Sequence, residues 1–204
     1  MILVFLCYQI VLRVVRRFWP FPAPAFIGRF LDSRQRRWMQ PPAMVVERSG
    51  IKRGMSILEI GCGSGAFTID AARAVGPEGT VHALDVQSEM LDQLRRKLSS
   101  PENADVSNIV AHQADAYHLP FDDGSLDLVY MVTVLSEIPD QARALDEFMR
   151  VLRPGGILAV SEWLFDPDYP LSREVVRRGT EAGYALQGVH GNLWHYTVRF
   201  HKPV

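Results

Sequence analysis

From Ala43 onward, short apolar runs alternate with segments whose apolar residues recur at helical spacing. The runs that read as strands are 56–60, 80–84, 109–112, 126–132 and 157–163. Each is rich in aliphatic residues and is followed by helical or loop sequence. This alternation predicts an α/β domain with a mostly parallel sheet covered on both faces. In the helix predicted over 88–98, Met90, Leu91, Leu94 and Leu98 form the apolar stripe. Ser88 is its expected N-cap, and Arg95, Arg96 and Lys97 suit the negative end of the helix dipole. A second helix, over 141–152, places Leu145, Phe148, Met149 and Leu152 on one face, with Asp140 as its cap and Pro154-Gly155-Gly156 as its stop. A further helix is expected over 171–182, then an antiparallel pair, 184–188 and 192–200, around Gly191.

The first 42 residues follow a different pattern and read as an arm ahead of a domain spanning 43–204. Pro20, Pro22, Pro24, Pro41 and Pro42, interleaved with Trp19, Phe21, Phe26, Phe30 and Trp38, leave room for one short helix, over 25–39. Residues 1–12 are apolar apart from Gln9 and are followed by Arg13, Arg16 and Arg17. That charge order is the reverse of a cleaved signal peptide. Run on to Val15 as a helix, the stretch reaches only about 22 Å, short of a hydrocarbon core of about 30 Å. It is expected to lie on a membrane or to pack on the domain itself.

Charge sharpens this picture. Residues 1–53 hold ten Lys/Arg against two acids, leaving twelve against twenty-one in the remainder. Arginines interleaved with Phe, Trp and Pro favour an anionic surface or an intramolecular dock over nucleic acid. Cys7 and Cys62 offer neither a disulfide framework nor a metal-ligand spacing, so the expected compartment is reducing and cytoplasmic, with peripheral membrane contact through the arm.

The chemistry concentrates in Leu58-Glu59-Ile60-Gly61-Cys62-Gly63-Ser64-Gly65-Ala66, an apolar strand running into a glycine loop and then a helix beginning near Ala66. Glycines permit positive φ and close approach of the backbone, and the free N–H groups of a helix start face polar or anionic atoms. Because Gly61-x-Gly63-x-x-Ala66 also satisfies the dinucleotide fingerprint, the loop alone does not separate a nicotinamide from a sulfonium cofactor. Asp85 ends the second strand, where a carboxylate accepts from both ribose hydroxyls. Asp115-Ala116 follows the third strand, and Arg153-Pro154-Gly155-Gly156 precedes the fifth.

With these segments the sequence resembles the class I S-adenosylmethionine-dependent methyltransferases, particularly the small-molecule group that includes ubiquinone and menaquinone biosynthesis methyltransferases. The resemblance covers about residues 43–163 and is carried by the Glu59-to-Gly65 loop, Asp85, the run from Asp115 to Asp127, and Arg153-Pro154-Gly155-Gly156. It implies a Rossmann-like, doubly wound, mostly parallel seven-stranded sheet with an antiparallel edge strand, behind the helical arm. It further implies that Gly61, Gly63 and Gly65 wrap the methionine portion, that Glu59 fixes the loop and amino group, and that Asp85 holds the ribose. Asp115 would take the adenine amino group, the Ala116 N–H would face a ring nitrogen, and Val86 or Met90 would pack on the adenine face.

Relatives often carry histidines just after the fourth strand, where this chain has Ser136 and Glu137. An acceptor that needs a base therefore has Glu137 and Tyr130 as candidates, ahead of His118 and His190. Trp38, Met39, Trp163 and Tyr169 are the residues expected to line an apolar acceptor site. The expected reaction is methyl transfer from S-adenosylmethionine to a small, apolar or lipid-like acceptor, the alternatives being a soluble metabolite or a module that binds the cofactor without turnover. No metal is expected.

Overall fold

In the computed structural model, which describes residues 33–204, seven strands form one sheet. They are β1 (Ser56–Ile60), β2 (Thr80–Asp85), β3 (Ile109–Gln113), β4 (Leu126–Val132), β5 (Leu152–Trp163), β6 (Ala185–Gly191) and β7 (His195–His201), in the spatial order β3-β2-β1-β4-β5-β7-β6. The first five run parallel, and β7 runs antiparallel between β5 and β6. Central strands in such a sheet are buried on both faces. Accordingly β1 and β4 are apolar almost throughout, and Ile57, Leu58, Leu128, Val129 and Met131 are completely buried.

The helices are α1 (Arg34–Met39), α2 (Pro42–Ser49), α3 (Thr68–Val75), α4 (Ser88–Leu98), α5 (Gln141–Val151) and α6 (Ser172–Glu181), with short 3₁₀ turns at Pro101–Asn103 and Leu135–Glu137. One face of the sheet packs Leu58, Ile60, Met131 and Val160 against Leu145 and Phe148 of α5 and Val175 of α6. The other packs Ile57, Leu128 and Tyr130 against Ala71 and Val75 of α3 and Val45 of α2. A side-chain period of two along the strands generates the two faces.

Several expectations are refined. Ser88 is not the cap of α4: the N-cap is Gln87, whose side chain makes no capping bond, and Gln87 N–H donates to Asp85 at 2.9 Å. Asp140 does cap α5, accepting from Arg143 N–H. The strand β5 begins at Leu152 rather than at 157, because Gly155 N–H donates to Lys202 C=O and Lys202 N–H returns a bond to Gly156 C=O. Of the helix expected over 25–39, only α1 falls within the described residues. The helix α2 was not anticipated, although Pro42 at its first turn and Gly50 in the left-handed region at its end (φ 80°) are the ordinary start and stop signals. Among the described residues, no helix is long and apolar enough to cross a membrane.

Both α1 and α2 pack onto the domain. Arg37 donates to Ala66 C=O at 3.1 Å and pairs with Asp70 at 3.1 Å, fastening α1 to the helix that follows the glycine loop. The Arg36 guanidinium lies buried between the rings of Phe67 and Trp163, 5.5 Å from each centroid.

Candidate active site

Parallel register brings the chemistry to one rim. Ile60 pairs with Leu84, and Asp85 with Gln113, so the glycine loop, Asp85 and the segment carrying Asp115 all leave the sheet at adjoining carboxyl ends. Open α/β sheets bind ligands there, where the strand order reverses beside β1. Gly61, Gly63 and Gly65 have φ of 65°, 55° and 81°, a region glycine enters without strain. Two of these glycines are also required by their neighbours: a Cβ on Gly61 would come within 2.6 Å of Val134, and one on Gly65 within 2.5 Å of Leu94. Asp85, nearly buried, accepts from Gly63 N–H at 2.8 Å through Oδ2 and from Gln87 N–H through Oδ1.

Glu59 lies beneath the loop on the α3 face, fully buried, and accepts from the Thr68 hydroxyl at 2.5 Å. Burial pushes its carboxyl up to about 7, an effect that the Thr68 and Tyr130 hydroxyls partly offset and nearby Asp85 reinforces. Tyr130 is the direct neighbour of Glu59 across the β1–β4 pair. Its hydroxyl faces that carboxyl without closing a well-formed hydrogen bond. Burial and the adjoining carboxyl raise the Tyr130 phenol, the opposite of what a base near neutral pH requires.

Asp115 is half-exposed; its Oδ1 accepts from Tyr117 N–H at 2.8 Å and His118 N–H at 3.1 Å, which folds the turn after β3. Ala116 is buried within that turn. Val86 is exposed at the rim, whereas Met90 is covered, with 2 % of its surface accessible. His118 is largely exposed and contacts Arg143, and His190 sits on the edge strand β6, away from the glycine loop. Glu137 is half-buried in the 3₁₀ turn after β4.

A cavity of about 370 Å³ opens beyond β5, lined by Trp38, Met39, Trp163, Phe165, Asn192, Trp194 and His195. Trp38, Met39 and Trp163 therefore come together as expected. Tyr169 does not line it: its ring packs edge-on against Tyr196 and its hydroxyl donates to Leu193 C=O. Trp163, Arg36 and Phe67 form a continuous layer between this cavity and the start of α3.

Sequence reasoning missed three other features. Arg48 donates to His195 Nδ1 at 2.7 Å; because arginine cannot accept, Nδ1 must be the lone-pair side, which leaves Nε2 carrying the proton. Burial and Arg48 both lower the His195 pKa, favouring that neutral form. Glu162, at the end of β5, is 1 % exposed, and its Oε1 has no hydrogen-bond partner among the described residues. Burial, with Asp166 and Glu137 nearby, raises its pKa well above the ordinary carboxylate value. Thr133, the first residue after β4, has φ of 56°, an outlier for a β-branched side chain. None of the three is signalled by periodicity, since each depends on contacts between distant segments.

A protein-family profile described as "Methyltransferase domain" matches residues 57–156. Over 131 residues the chain is 35 % identical to a demethylmenaquinone methyltransferase of Staphylococcus aureus, an alignment covering 64 % of this chain and 52 % of that protein. Residues 57–156 thus form a methyltransferase domain on the seven-stranded sheet described above. The chain spans about half the length of the curated relatives it matches. Among solved structures, an S-adenosylmethionine-dependent methyltransferase from Aquifex aeolicus superposes with a TM-score of 0.80 at 24 % identity, covering 88 % of this chain and 99 % of that one. The cyclase SpnF superposes at 0.71 with 19 % identity, covering 84 % and 83 %. Likenesses at that identity establish the fold, and the cyclase illustrates why the fold alone does not settle the reaction.

S-adenosylmethionine is the cofactor implied for a class I methyltransferase with this loop. The donor set fits it: a left-handed glycine loop, a carboxylate at the end of β2, an exposed apolar Val86 beside it, and a half-exposed carboxylate after β3.

Proposed function

We propose that this methyltransferase domain transfers a methyl group to an apolar, oxygen-bearing ring such as a quinol, held in the cavity beyond β5. The observation that carries this reading is the composition of that cavity. Trp38, Met39, Trp163, Phe165 and Trp194 supply apolar walls, and His195 supplies a proton donor at its edge. Such a site favours a flat apolar ligand with an oxygen at one end. The demethylmenaquinone methyltransferase relative supports the same acceptor class.

The cofactor supplies an electrophilic methyl on sulfur with a good leaving group, so positioning carries much of the acceleration. Asp85 would hold the ribose hydroxyls and Asp115 the adenine amine. Gly61, Gly63 and Gly65 would admit the methionine portion, with Glu59 bracing the loop from below. His195 Nε2–H would fix the acceptor oxygen. Glu137, half-buried after β4, is the carboxylate suited to take the proton that a carbon or phenol acceptor gives up. Peripheral membrane contact through the first 17 residues, which lie outside the described residues, belongs to this reading.

The test is methyl transfer from labelled S-adenosylmethionine to a short-chain demethylated naphthoquinol, followed by chromatography of the quinone fraction. Transfer that weakens several-fold in His195→Phe supports the acceptor site. Label appearing only in aqueous metabolites would favour a soluble acceptor, and cofactor binding without transfer to any fraction would favour a non-catalytic module.

A further inference from the structure

Not all residues around the cavity turn inward. Trp38 leaves 81 % of its surface exposed, Trp194 57 %, and Leu193, beside it, 62 %. Trp38 stands on α1 and the other two on the turn joining β6 to β7, so two unconnected elements place large apolar groups around one mouth.

That turn is firmly held. The Asn192 side-chain oxygen accepts from Trp194 N–H at 2.9 Å and from His195 N–H at 3.3 Å. Leu193 C=O accepts from the Tyr169 hydroxyl at 2.7 Å, and Leu164 N–H donates to Trp194 C=O at 2.8 Å. The Trp194 ring stacks on Phe165 with centroids 5.9 Å apart. The backbone is thus tied in several places while its apolar side chains remain presented to the exterior. A turn built only to face water has no use for that arrangement.

The charge on α1 has one sign. Arg34 is exposed one helical turn before Trp38, on the same face of α1. The same helix also carries Arg36 and Arg37, and no acid. Tryptophan with arginine is the chemistry of the phospholipid headgroup layer, where an amphipathic ring and a cation are both satisfied.

We propose that Trp38, Leu193 and Trp194 form a rim that seats on an anionic phospholipid bilayer, so that the cavity opens toward the acyl layer. The proposal rests on the cavity being the acceptor site and adds how the acceptor arrives. A ligand too apolar to cross water passes from lipid to Trp163 without leaving an apolar surface.

The test uses the full chain with Cys7→Ser, which leaves the buried Cys62 as its remaining native thiol. An environment-sensitive fluorophore is attached at Leu193→Cys or, separately, at Glu78→Cys, an exposed position at the opposite, amino end of the sheet. With vesicles of phosphatidylcholine and phosphatidylglycerol, the label at 193 should shift to the blue and be quenched by spin-labelled lipid, while the label at 78 should do neither. Leu193→Glu should lower partitioning into these vesicles about tenfold, the equivalent of 1.4 kcal/mol. Its cofactor affinity and its turnover of a short-chain quinol in solution should match the parent. Vesicle binding that leaves the label at 193 in water, equal partitioning of Leu193→Glu, or no vesicle binding overturns the proposal. Failure of the parent to turn over the soluble quinol would instead remove the acceptor reading and leave the partitioning result standing.

Discussion

Asp85 accepts the backbone N–H of Gly63 at 2.8 Å, so the carboxylate proposed to hold the ribose also fixes the conformation of the glycine loop. Its second oxygen accepts from Gln87 N–H, which ties the start of α4 to the same group. Asp85→Ala should therefore weaken cofactor binding by about 1 to 3 kcal/mol, through lost ribose contacts and a loosened loop together. Asp85→Asn should fall between parent and Ala, since one of its two terminal atoms is a donor that cannot accept from these N–H groups. Calorimetry with S-adenosylmethionine and its demethylated product decides this, and parental affinity in both variants would mean that the site is misplaced.

This dual role shows what the sequence makes legible. The strands β1, β2 and β4 follow from mostly aliphatic runs, as burial on both faces favours, broken only by Glu59, His82, Asp127 and Tyr130 and by the polar ends of β1 and β2. The loop, Asp85 and Asp115 follow from their order along such strands. By contrast, Arg36 between Phe67 and Trp163, and Arg48 on His195, join segments far apart in the chain. Nothing local marks an arginine as a ring spacer or a histidine as neutral. The Ser88 cap fails for a related reason: a local rule nominates the nearest hydroxyl, but the helix starts at Ser88 itself, and the Met90 and Leu91 N–H groups that such a cap would need go to Gln87 C=O.

Gly65→Ala should destabilise the fold as well as the site. The added methyl would meet Leu94 at 2.5 Å, at a φ of 81° that alanine disfavours. A loss of roughly 1 to 3 kcal/mol is expected in urea denaturation. Trimming Leu94 as well should recover little, because contact relief leaves the backbone strain and opens a cavity. Gly63→Val should be worse for cofactor binding than Asp85→Ala, since a β-branched residue both resists positive φ and occupies ligand space. Near-parental stability in Gly65→Ala would refute the packing argument.

Two groups, fully buried Glu59 and half-buried His82, give the stability opposing dependences on pH. Glu59 is raised from 4.5 to about 7, so its contribution is full below about 4.5 and is lost as pH climbs toward 7. His82, whose Nδ1 lies 3.1 Å from His112 Nε2, is lowered from 6.5 to about 4 by burial and by that second imidazole. Its contribution is present above about 6.5 and is lost as pH falls toward 4. Glu59→Gln should gain on the parent between about pH 5 and 8, and His82→Gln should gain as pH drops from about 7 to 4.5. Denaturation midpoints across that range test both signs, and a pH-independent offset for either variant would show that the group does not titrate as described.

Thr133 stores strain immediately after β4. Its N–H donates to Ser161 C=O at 2.8 Å, holding the backbone at φ 56°. Thr133→Gly would relieve about 1 to 2 kcal/mol of left-handed strain and add about 0.5 to 1 kcal/mol of unfolded-state entropy. The net expectation is a protein as stable as the parent or slightly more so, with slower turnover because the turn carrying Glu137 is less defined. A clear loss of stability by thermal denaturation would mean that the threonine side chain makes a contribution the backbone argument omits.

The last prediction concerns Arg36, whose guanidinium fills the space between Phe67 and Trp163 at 5.5 Å from each ring. Phe67 lies two residues after the glycine loop, and Trp163 is a wall of the cavity proposed for the acceptor. The cation therefore sets the distance between the cofactor side and the acceptor side. Each buried cation–π contact is worth about 0.5 to 2 kcal/mol, and the stem adds apolar packing. Arg36→Ala should lose stability, but the more telling effect is on kinetics. With the spacer gone, Trp163 can move toward Phe67 and reshape the cavity, while Asp85 and the loop keep their own bonds. KM for the acceptor should then rise several-fold with cofactor affinity little changed. Arg36→Lys should behave more like Ala than like the parent, because a compact ammonium cannot stack flat against two rings. Should Arg36→Ala shift cofactor affinity and acceptor KM equally, Arg36 would be a support for the whole rim rather than a spacer between its two halves.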